Sequence, residues 1–511
     1  MFCVGKKTVI AHKRLTDGNY IEKGEELRSI IIIGGGASGM AAAIAAARNG
    51  ADTVIIEHKD RVGKKILSTG NGKCNYTNKE QGLRYYRGDN PAFVLPVFEQ
   101  FGFKETISFF KELGIYPKER NGYFYPASEQ AAAVLDVLRM ELRRLGVFIY
   151  TDCTLKSIKK NKNKFTVLTD QKTFTADACI FACGGMAFPK SGSDGSAYPY
   201  IEQFGHTFTD MVPALVQMKA KQSFFKSIAG IRSDISIGLY IDRQFVCEDR
   251  GEVQLTEYGI SGIPSFQVSR YAAIALKHRQ KVQAVLDFMP ALSDMDLQQE
   301  LYTRFTSLHG KTAEEALIGL FPKKLIPLFL KENQISLHDP SDQIPVKQIK
   351  KLSVYLKNVT IDITDTKGFD AAQCTAGGIS TKEIYADTLK SRIVSGLYFA
   401  GEVIDIDGMC GGYNLQWAWS SGYVAGTHVI SSNIIRKITG VPNQRKGRYD
   451  TDSAVEASDH TFERSIRNKN FQGITYIKGT DPFLPDHKTV FRRKEKTGYP
   501  LCIYDRSRHS H

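Results

Sequence analysis

The stretch IIIIGGGASGMAAAIAAARNG, residues 30–50, decides the fold of this chain. Its isoleucines predict a short buried strand, and the alanine-rich run predicts a helix directly after it. Between them Gly34, Gly36 and Gly39 form a GxGxxG pattern at the strand-to-helix turn. A second strand, TVIIE at 53–57, completes a β-α-β unit, so we expect a parallel α/β sheet.

Each glycine of the pattern has its own expected role. Gly34 allows a tight turn, Gly36 lets the backbone approach a diphosphate, and Gly39 permits close contact between helix and strand. The helix N-terminus then faces the negative charge. Glu57, at the end of the second strand, can accept hydrogen bonds from ribose hydroxyls. Taken alone, Glu57 could equally be a solvated charge, but with the glycines it indicates a dinucleotide site.

The composition is that of a globular protein of two or three domains. The 511 residues are 42% hydrophobic and 24% charged, a balance that excludes a disordered or fibrous chain. No long apolar run predicts a membrane span, and we expect a cytoplasmic protein. The nine cysteines include no CxxC pair, so we expect free thiols and no metal site. The charge of +14 is diffuse, and neither nucleic acid nor a membrane is the expected partner.

The order of strand and helix patterns divides the chain into five segments. Alternating strand patterns followed by helical stretches predict a second domain inserted into the first. The predicted segments are an N-terminal extension at 1–29, the nucleotide domain at 30–205, the insertion at 206–373, the return to the nucleotide domain at 374–435 and a polar, basic C-terminal extension at 436–511.

The run RVGKKILSTGNGKCNYTN, residues 61–78, is rich in glycine, amide and hydroxyl groups and poor in apolar ones. It therefore predicts either a surface loop or a segment lying along a flavin dinucleotide. In the second case Thr69, Gly70, Asn71, Cys74 and Asn75 are the expected contacts. Cys74 has no cysteine nearby in sequence, which argues against a thiol–disulfide reductase.

A third glycine-rich turn lies in ACIFACGGMAFPKSGSDGSAY, residues 178–198. Gly184 and Gly185 are candidates for a second approach to the diphosphate. Cys179 and Cys183 follow a strand pattern and are expected to be small buried side chains. His206 could be a catalytic base, but a turn or interdomain role is the favoured interpretation.

The last signal is GLYFAGEVIDIDGMCGGYNLQWAWSSGYVAG, residues 396–426. A strand ends at Gly401, where Glu402 or Asp405 could bind ribityl hydroxyls. Amides around Gly412, Tyr413 and Asn414, at the start of a helix, could face the pyrimidine edge of a flavin and stabilise its negative charge. We expect this helix to be amphipathic and to pack its small residues on the sheet.

Four motifs together resemble the FAD-binding family of the aminoacetone oxidases and bile-acid Δ4,6-reductases: STGNGKCNYTN, FACGG followed by GSDGSAY, LTEYGISGIPSFQVSR, and FAGEVIDIDGMCGGYNLQWAWSSG. The resemblance covers Ile30 to Ile430. It implies an α/β, Rossmann-like FAD domain of the two-dinucleotide-binding type, with an inserted β-barrel-like domain that carries a helical excursion at about 290–345. The implied FAD contacts are Gly34, Gly36, Ala37, Ser38, Gly39, Glu57, Lys65, Asn71, Gly72, Cys74, Asn75, Gly401, Glu402, Gly412, Asn414 and Leu415.

The resemblance also implies an FAD-dependent oxidoreductase that acts on a small hydrophobic carbonyl compound, for example by reducing a C=C bond conjugated to a ketone. An aminoketone or amine oxidase using oxygen is one alternative, and a tRNA-acting flavoprotein is another. NAD(P)H, bound transiently, and oxygen both stay open as redox partners. Some members carry Thr-His where this chain has Thr256-Glu257-Tyr258, so no histidine role transfers. Tyr258 and Tyr413 are candidates for the proton donor, and the oligomeric state is not predicted.

Overall fold

The computed structural model describes residues 27–430, so the C-terminal extension and almost all of the N-terminal one lie outside the described residues. Those residues form 21 strands and 12 α-helices. Up to residue 205 these are β1 (Ser29–Ile33), α1 (Ala37–Arg48), β2 (Asp52–Ile56), β3 (Thr77–Asn78), β4 (Tyr86–Arg87), α2 (Leu95–Gln100), α3 (Phe103–Glu112), β5 (Pro117–Arg120), β6 (Tyr123–Pro126), α4 (Ala131–Arg144), β7 (Phe148–Tyr150), β8 (Leu155–Asn161), β9 (Lys164–Thr169), β10 (Thr173–Ala176), β11 (Ala178–Phe181) and α5 (Tyr198–Glu202).

The remaining elements comprise a second group of strands and helices and then a return to the first sheet. They are β12 (Val212–Ala214), β13 (Met218–Ala220), α6 (Phe225–Ile228), β14 (Arg232–Ile241), β15 (Gln244–Thr256), β16 (Gly259–Gly262), α7 (Ile263–Lys277), β17 (Val282–Asp287), α8 (Asp294–Ser307), α9 (Ala313–Leu317), α10 (Ile326–Glu332), α11 (Val346–Lys357), β18 (Val359–Thr366), β19 (Cys374–Ala376), β20 (Leu397–Phe399), β21 (Asp407–Gly408) and α12 (Tyr413–His428).

The central sheet has the strand order β20-β11-β1-β2-β7, and all neighbouring strands are parallel. Ile33 at the end of β1 lies opposite Ile56 of β2 and Phe181 of β11. The isoleucines of β1 are buried, because a parallel sheet is covered on both faces. The carboxyl ends of these strands meet at one edge, and the segments that follow them are therefore brought together.

Helices α1 and α12 pack directly on each other. A Cβ atom on Gly422 would lie 2.3 Å from the Ser38 carbonyl oxygen, and one on Gly426 would lie 2.2 Å from that of Ala42. The small residues of α12 were expected to lie against the sheet, but these two lie against another helix. The physical reason is that the face of α1 in contact with them carries only small side chains, those of Ser38, Ala41 and Ala42, so the two helices can approach closely.

The insertion contains a closed barrel with the strand order β13-β16-β15-β14-β17-β18. Helices α8 to α11 lie within the same segment and share its hydrophobic core. The predicted α/β fold with an inserted barrel and helical excursion is confirmed, while the segment boundaries stay predictions. Among residues 27–430 none of the helices is both long and apolar enough to cross a bilayer.

Two contacts join residues 206–373 to the segment that follows them. Strands β12 and β19 pair antiparallel, with Ala214 opposite Cys374. Arg270 of α7 forms a buried ion pair with Asp407 of β21, its Nε lying 2.9 Å from Oδ1. These contacts fix the barrel beside the turn that precedes α12.

Candidate functional site

A cavity of about 360 Å³ lies at the carboxyl edge of the parallel sheet. It brings together residues that follow all five strands of this sheet and residues at the start of α12. The sequence-predicted residues that line it are Gly34, Gly36, Ala37, Ser38, Glu57, Lys65, Thr69, Gly184, Glu402, Asn414 and Leu415. Gly39, Gly70, Asn71, Gly72, Cys74, Asn75, Gly185, Gly401, Asp405 and Gly412 do not line it.

The first glycine turn has the geometry that its pattern predicts. Gly34 has a φ of +104°, and a Cβ there would lie 2.5 Å from the Ala182 carbonyl oxygen. A Cβ on Gly39 would lie 1.9 Å from the Gly34 oxygen, so helix and strand touch at this point. Nothing lies within 4 Å of a Cβ built on Gly36. The backbone at Gly36 is therefore open to the cavity, at the N-terminus of α1.

Glu57 is buried beside this turn, with both carboxylate oxygens already ordered by backbone amides. Oε2 accepts a hydrogen bond from the Gly35 amide at 2.8 Å, and Oε1 accepts one from the Lys59 amide at 2.9 Å. Each carboxylate oxygen has a second lone pair. The side chain is held rigid and can still accept from a ribose hydroxyl.

Glu402 and Lys65 connect the two chain segments across the cavity, with Nζ 2.8 Å from Oε2. The other oxygen of Glu402 accepts from the Thr375 amide at 2.6 Å. Gly185 packs behind this group, because its Cβ would lie 2.9 Å from Glu402 Oε1. Glu402 thus orients Lys65, whose charge suits a phosphate or an electron-rich ring.

The glycine turn before α12, residues 408–412, is held closed by Asn414. Its Oδ1 accepts from the Gly408 amide at 2.9 Å, and its Nδ2 donates to the Gly408 oxygen at 2.8 Å. Gly412 begins α12 with a φ of +92°, and its Cβ would lie 2.9 Å from Asn75 Oδ1. This turn faces the chain, whereas Asn414, Leu415, Trp417 and Ala418 of the helix after it line the cavity.

The segment between Thr69 and Asn75 is strained. Gly70, Asn71, Gly72 and Cys74 all have left-handed φ values. Burial raises the pKa of the Cys74 thiol to about 12, so this side chain is inert at neutral pH. Asn75 Oδ1 is buried without a hydrogen-bond partner among residues 27–430. An orphan acceptor in a strained loop is a feature of functional sites.

Three other predicted residues lie away from the cavity. Tyr413 is buried and stacks on Tyr85 with 4.4 Å between ring centroids. Tyr258 is half-buried in the turn between β15 and β16. His206 is buried, with Nδ1 3.0 Å from Glu383 and Nε2 2.8 Å from Ser391. These hydrogen bonds fit the favoured, structural interpretation of the histidine.

The cavity also contains residues that the sequence did not single out. Cys183, expected to be buried, is partly exposed and lines it, whereas Cys179 is buried. GSDGSAY was recognised as a motif but given no role. The short segment after β7 carries no local signal. The additional lining residues include His58, Cys153, Thr154, Leu155, Lys156, Ser191, Gly192, Ser193, Asp194, Tyr200, Gln373, Cys374, Ile406 and Trp417.

These residues fit an FAD molecule. The open Gly36 backbone and the α1 N-terminus suit a diphosphate, and Glu57 suits the adenosine ribose. Ser193 Oγ, buried at the cavity wall without a partner in the described part of the chain, offers a further hydrogen bond. Lys65 and the first turn of α12 would lie at the other end, where they can stabilise negative charge.

The model of the family described as HI0933-like protein Rossmann domain matches residues 28–428. The chain belongs to this FAD-binding Rossmann family. The HI0933-like assignment and its relatives make the protein an FAD-dependent oxidoreductase. The chain is 46% identical to a 3-dehydro-bile acid Δ(4,6)-reductase of Clostridium scindens over 402 residues. The aligned residues cover 78% of this chain and 98% of the relative.

Other similarities of this HI0933-like chain are weaker. A ribosomal RNA dihydrouridine synthase of Haemophilus influenzae is 29% identical, over 77% of this chain and 96% of the relative, and that of Escherichia coli is 28% identical, over 79% and 98%. A solved 3-ketosteroid-Δ4-(5α)-dehydrogenase of Rhodococcus jostii is 14% identical with a TM-score of 0.40, covering 83% of this chain and 100% of that one.

Proposed function

We propose that the chain reduces a C=C bond conjugated to a ketone in a steroid-like substrate of the bile-acid type. The observation that carries the proposal is the 46% identity to a 3-dehydro-bile acid Δ(4,6)-reductase over 98% of that relative. Reduction of such a bond adds a hydride at the β-carbon and a proton at the α-carbon, because the carbonyl withdraws electrons. Bound FAD would supply the hydride chemistry.

The residues of the chain would bind, orient and polarise the substrate. The cavity extends to Gln373, Cys374 and Leu415, and Cys374 pairs with Ala214, at the start of the insertion. The first amides of α12 have no acceptor within the helix, and their positive end would stabilise negative charge there. Lys65, held by Glu402 at 2.8 Å, would add a fixed positive charge. A substrate placed between sheet and barrel would be shielded from water on both sides.

We propose that either Tyr258 or Tyr413 is the proton donor. Burial raises the pKa of Tyr413 well above its usual value, which makes it a poor proton donor. Tyr258 is partly exposed, and the Lys367 ammonium group lies 4.5 Å from its ring centroid. Tyr258 is therefore the better candidate, although its turn lies outside the cavity lining.

RNA uridine is a second candidate substrate, favoured by the two ribosomal RNA dihydrouridine synthases that match almost end to end. Dihydrouridine differs from uridine by two hydrogens across a C=C bond conjugated to a carbonyl. Both candidates therefore need the same reduction and differ in how the substrate is recognised. A steep salt dependence of binding would favour RNA, since phosphates dominate its affinity.

The test is anaerobic turnover of the purified yellow protein. NADH or NADPH should bleach the flavin absorbance, and a 3-oxo-Δ4 bile acid should restore it while gaining two hydrogens by mass spectrometry. Ribosomal RNA is the parallel arm, with dihydrouridine as its product. If only RNA, and not the bile acid, restores the flavin absorbance, RNA uridine replaces the steroid as the proposed substrate. Bleaching by an aminoketone, with recovery only in oxygen, would replace both with the oxidase alternative.

A further inference from the structure

The loop Ser191–Ser196 crosses the end of β2 and forms one wall of the cavity. A Cβ on Gly192 would lie 3.4 Å from His58 Cε1 and 3.5 Å from Glu57 Oε1. This glycine has a φ of +108°. The 191–196 loop thus packs on the segment whose carboxylate is expected to hold the adenosine ribose, and the left-handed backbone at Gly192 favours glycine there.

An imidazole connects this loop to β2. His58 Nε2 lies 3.3 Å from Asp194 Oδ2, and Nδ1 lies 3.7 Å from Glu57 Oε1. Asp194 Oδ1 also accepts from the Ser196 amide at 3.0 Å. Burial raises the pKa of Asp194, but the close His58 imidazole and the hydrogen bond from the Ser196 amide lower it more, so the carboxyl group is ionised at neutral pH. The contact between His58 and Asp194 therefore joins the loop to the end of β2.

Ser193, between these contacts, has an unused hydroxyl group. Its Oγ is buried and has no hydrogen-bond partner among residues 27–430. It faces Gly184, whose Cβ would lie 2.9 Å from Oγ, and both residues line the cavity. A buried hydroxyl without a partner costs free energy. A ribose or phosphate oxygen of FAD in the cavity would satisfy it.

We propose that the 191–196 loop is a latch that retains the adenosine half of FAD. Ser193 donates a hydrogen bond to the ribose or diphosphate, and the His58–Asp194 pair fastens the loop over it. Breaking either contact speeds cofactor release. The inference rests on FAD binding alone and does not depend on which substrate is reduced.

The test measures FAD release from the intact holoenzyme, as free FAD that passes a filter at successive times after dilution. Ser193→Ala should release FAD about tenfold faster, as expected for one lost hydrogen bond to a charged group. His58→Ala and Asp194→Asn should each accelerate release severalfold. The double variant should be no faster than the more severe single one, because the two residues act as a unit.

The matched control is His278→Ala. It removes an exposed imidazole whose Nε2 lies 3.1 Å from Asp210 Oδ2, away from the cavity, and release should be unchanged. If Ser193→Ala releases FAD at the wild-type rate, the proposed contact between the Ser193 hydroxyl and FAD is wrong. If the accelerations caused by His58→Ala and Asp194→Asn multiply in the double variant, the two residues do not act as a unit and the latch proposal is wrong. If Ser193→Ala does not fold, Ser193→Cys keeps the size with a weaker donor and must still release FAD faster for the contact to stand.

Discussion

The two glycine-rich turns, residues 34–39 and 408–412, look alike in sequence but do different work. At Gly36 no atom lies within 4 Å of a Cβ position, and the backbone opens onto the cavity. At Gly412 the same position lies 2.9 Å from both Asn75 Oδ1 and the Thr77 carbonyl oxygen. Glycine leaves room for a ligand in the first turn and for the chain itself in the second.

The largest effect should come from Gly412→Ala. A methyl group would meet backbone and a buried amide, at a φ of +92°, so we expect the free energy of unfolding to fall by about 2 kcal/mol. Urea unfolding measures this. Gly310→Ala is the control, because its φ is +76° with nothing within 4 Å, and it should lose about 1 kcal/mol from strain alone. Equal losses in the two variants would mean that packing at Gly412 is unimportant.

Gly36→Ala should show the opposite behaviour. The site has room and its φ is −77°, so the FAD-free protein should keep its unfolding free energy within about 0.5 kcal/mol. The methyl group would stand where a diphosphate approaches α1, and FAD affinity should fall about tenfold. Fluorescence titration with FAD gives the affinity. A destabilised FAD-free variant with unchanged affinity would remove the contrast between the turns.

The smallest effect concerns Asp405, in the segment leading to the second turn. Burial raises its pKa to about 6 in the folded chain, against 3.8 as the usual value. Because the folded-state pKa is raised, Asp405 makes its full contribution to stability at a pH below its unfolded-state pKa. This contribution is lost as the pH rises through about 6. The free energy of unfolding of Asp405→Asn should therefore rise by roughly 1 kcal/mol relative to that of the wild type between pH 5 and pH 8. Asp365→Asn, an exposed site, should gain nothing, and a flat difference for Asp405→Asn would refute its buried charge.

Local sequence predicted the first turn well because all its determinants are within a few residues. The strand β1, the turn at Gly34 and the contact at Gly39 follow from one another along the chain. The barrel was predicted through the family resemblance and the alternating pattern of strands such as β14. The partner of α12 was not predicted, since nothing in LQWAWSSGYVAG distinguishes packing on a sheet from packing on α1.

The sequence by itself determined the α/β class, the dinucleotide turn and Glu57, because period and short spacing fix strand, turn and helix locally. Tertiary structure alone decided that Ser193, His58 and Cys153 face the same cavity, and that Gly412 supports Asn75. These residues are far apart in the chain, and their proximity depends on which strands become neighbours in the sheet. No local pattern encodes that choice, since it is made by the packing of the whole molecule.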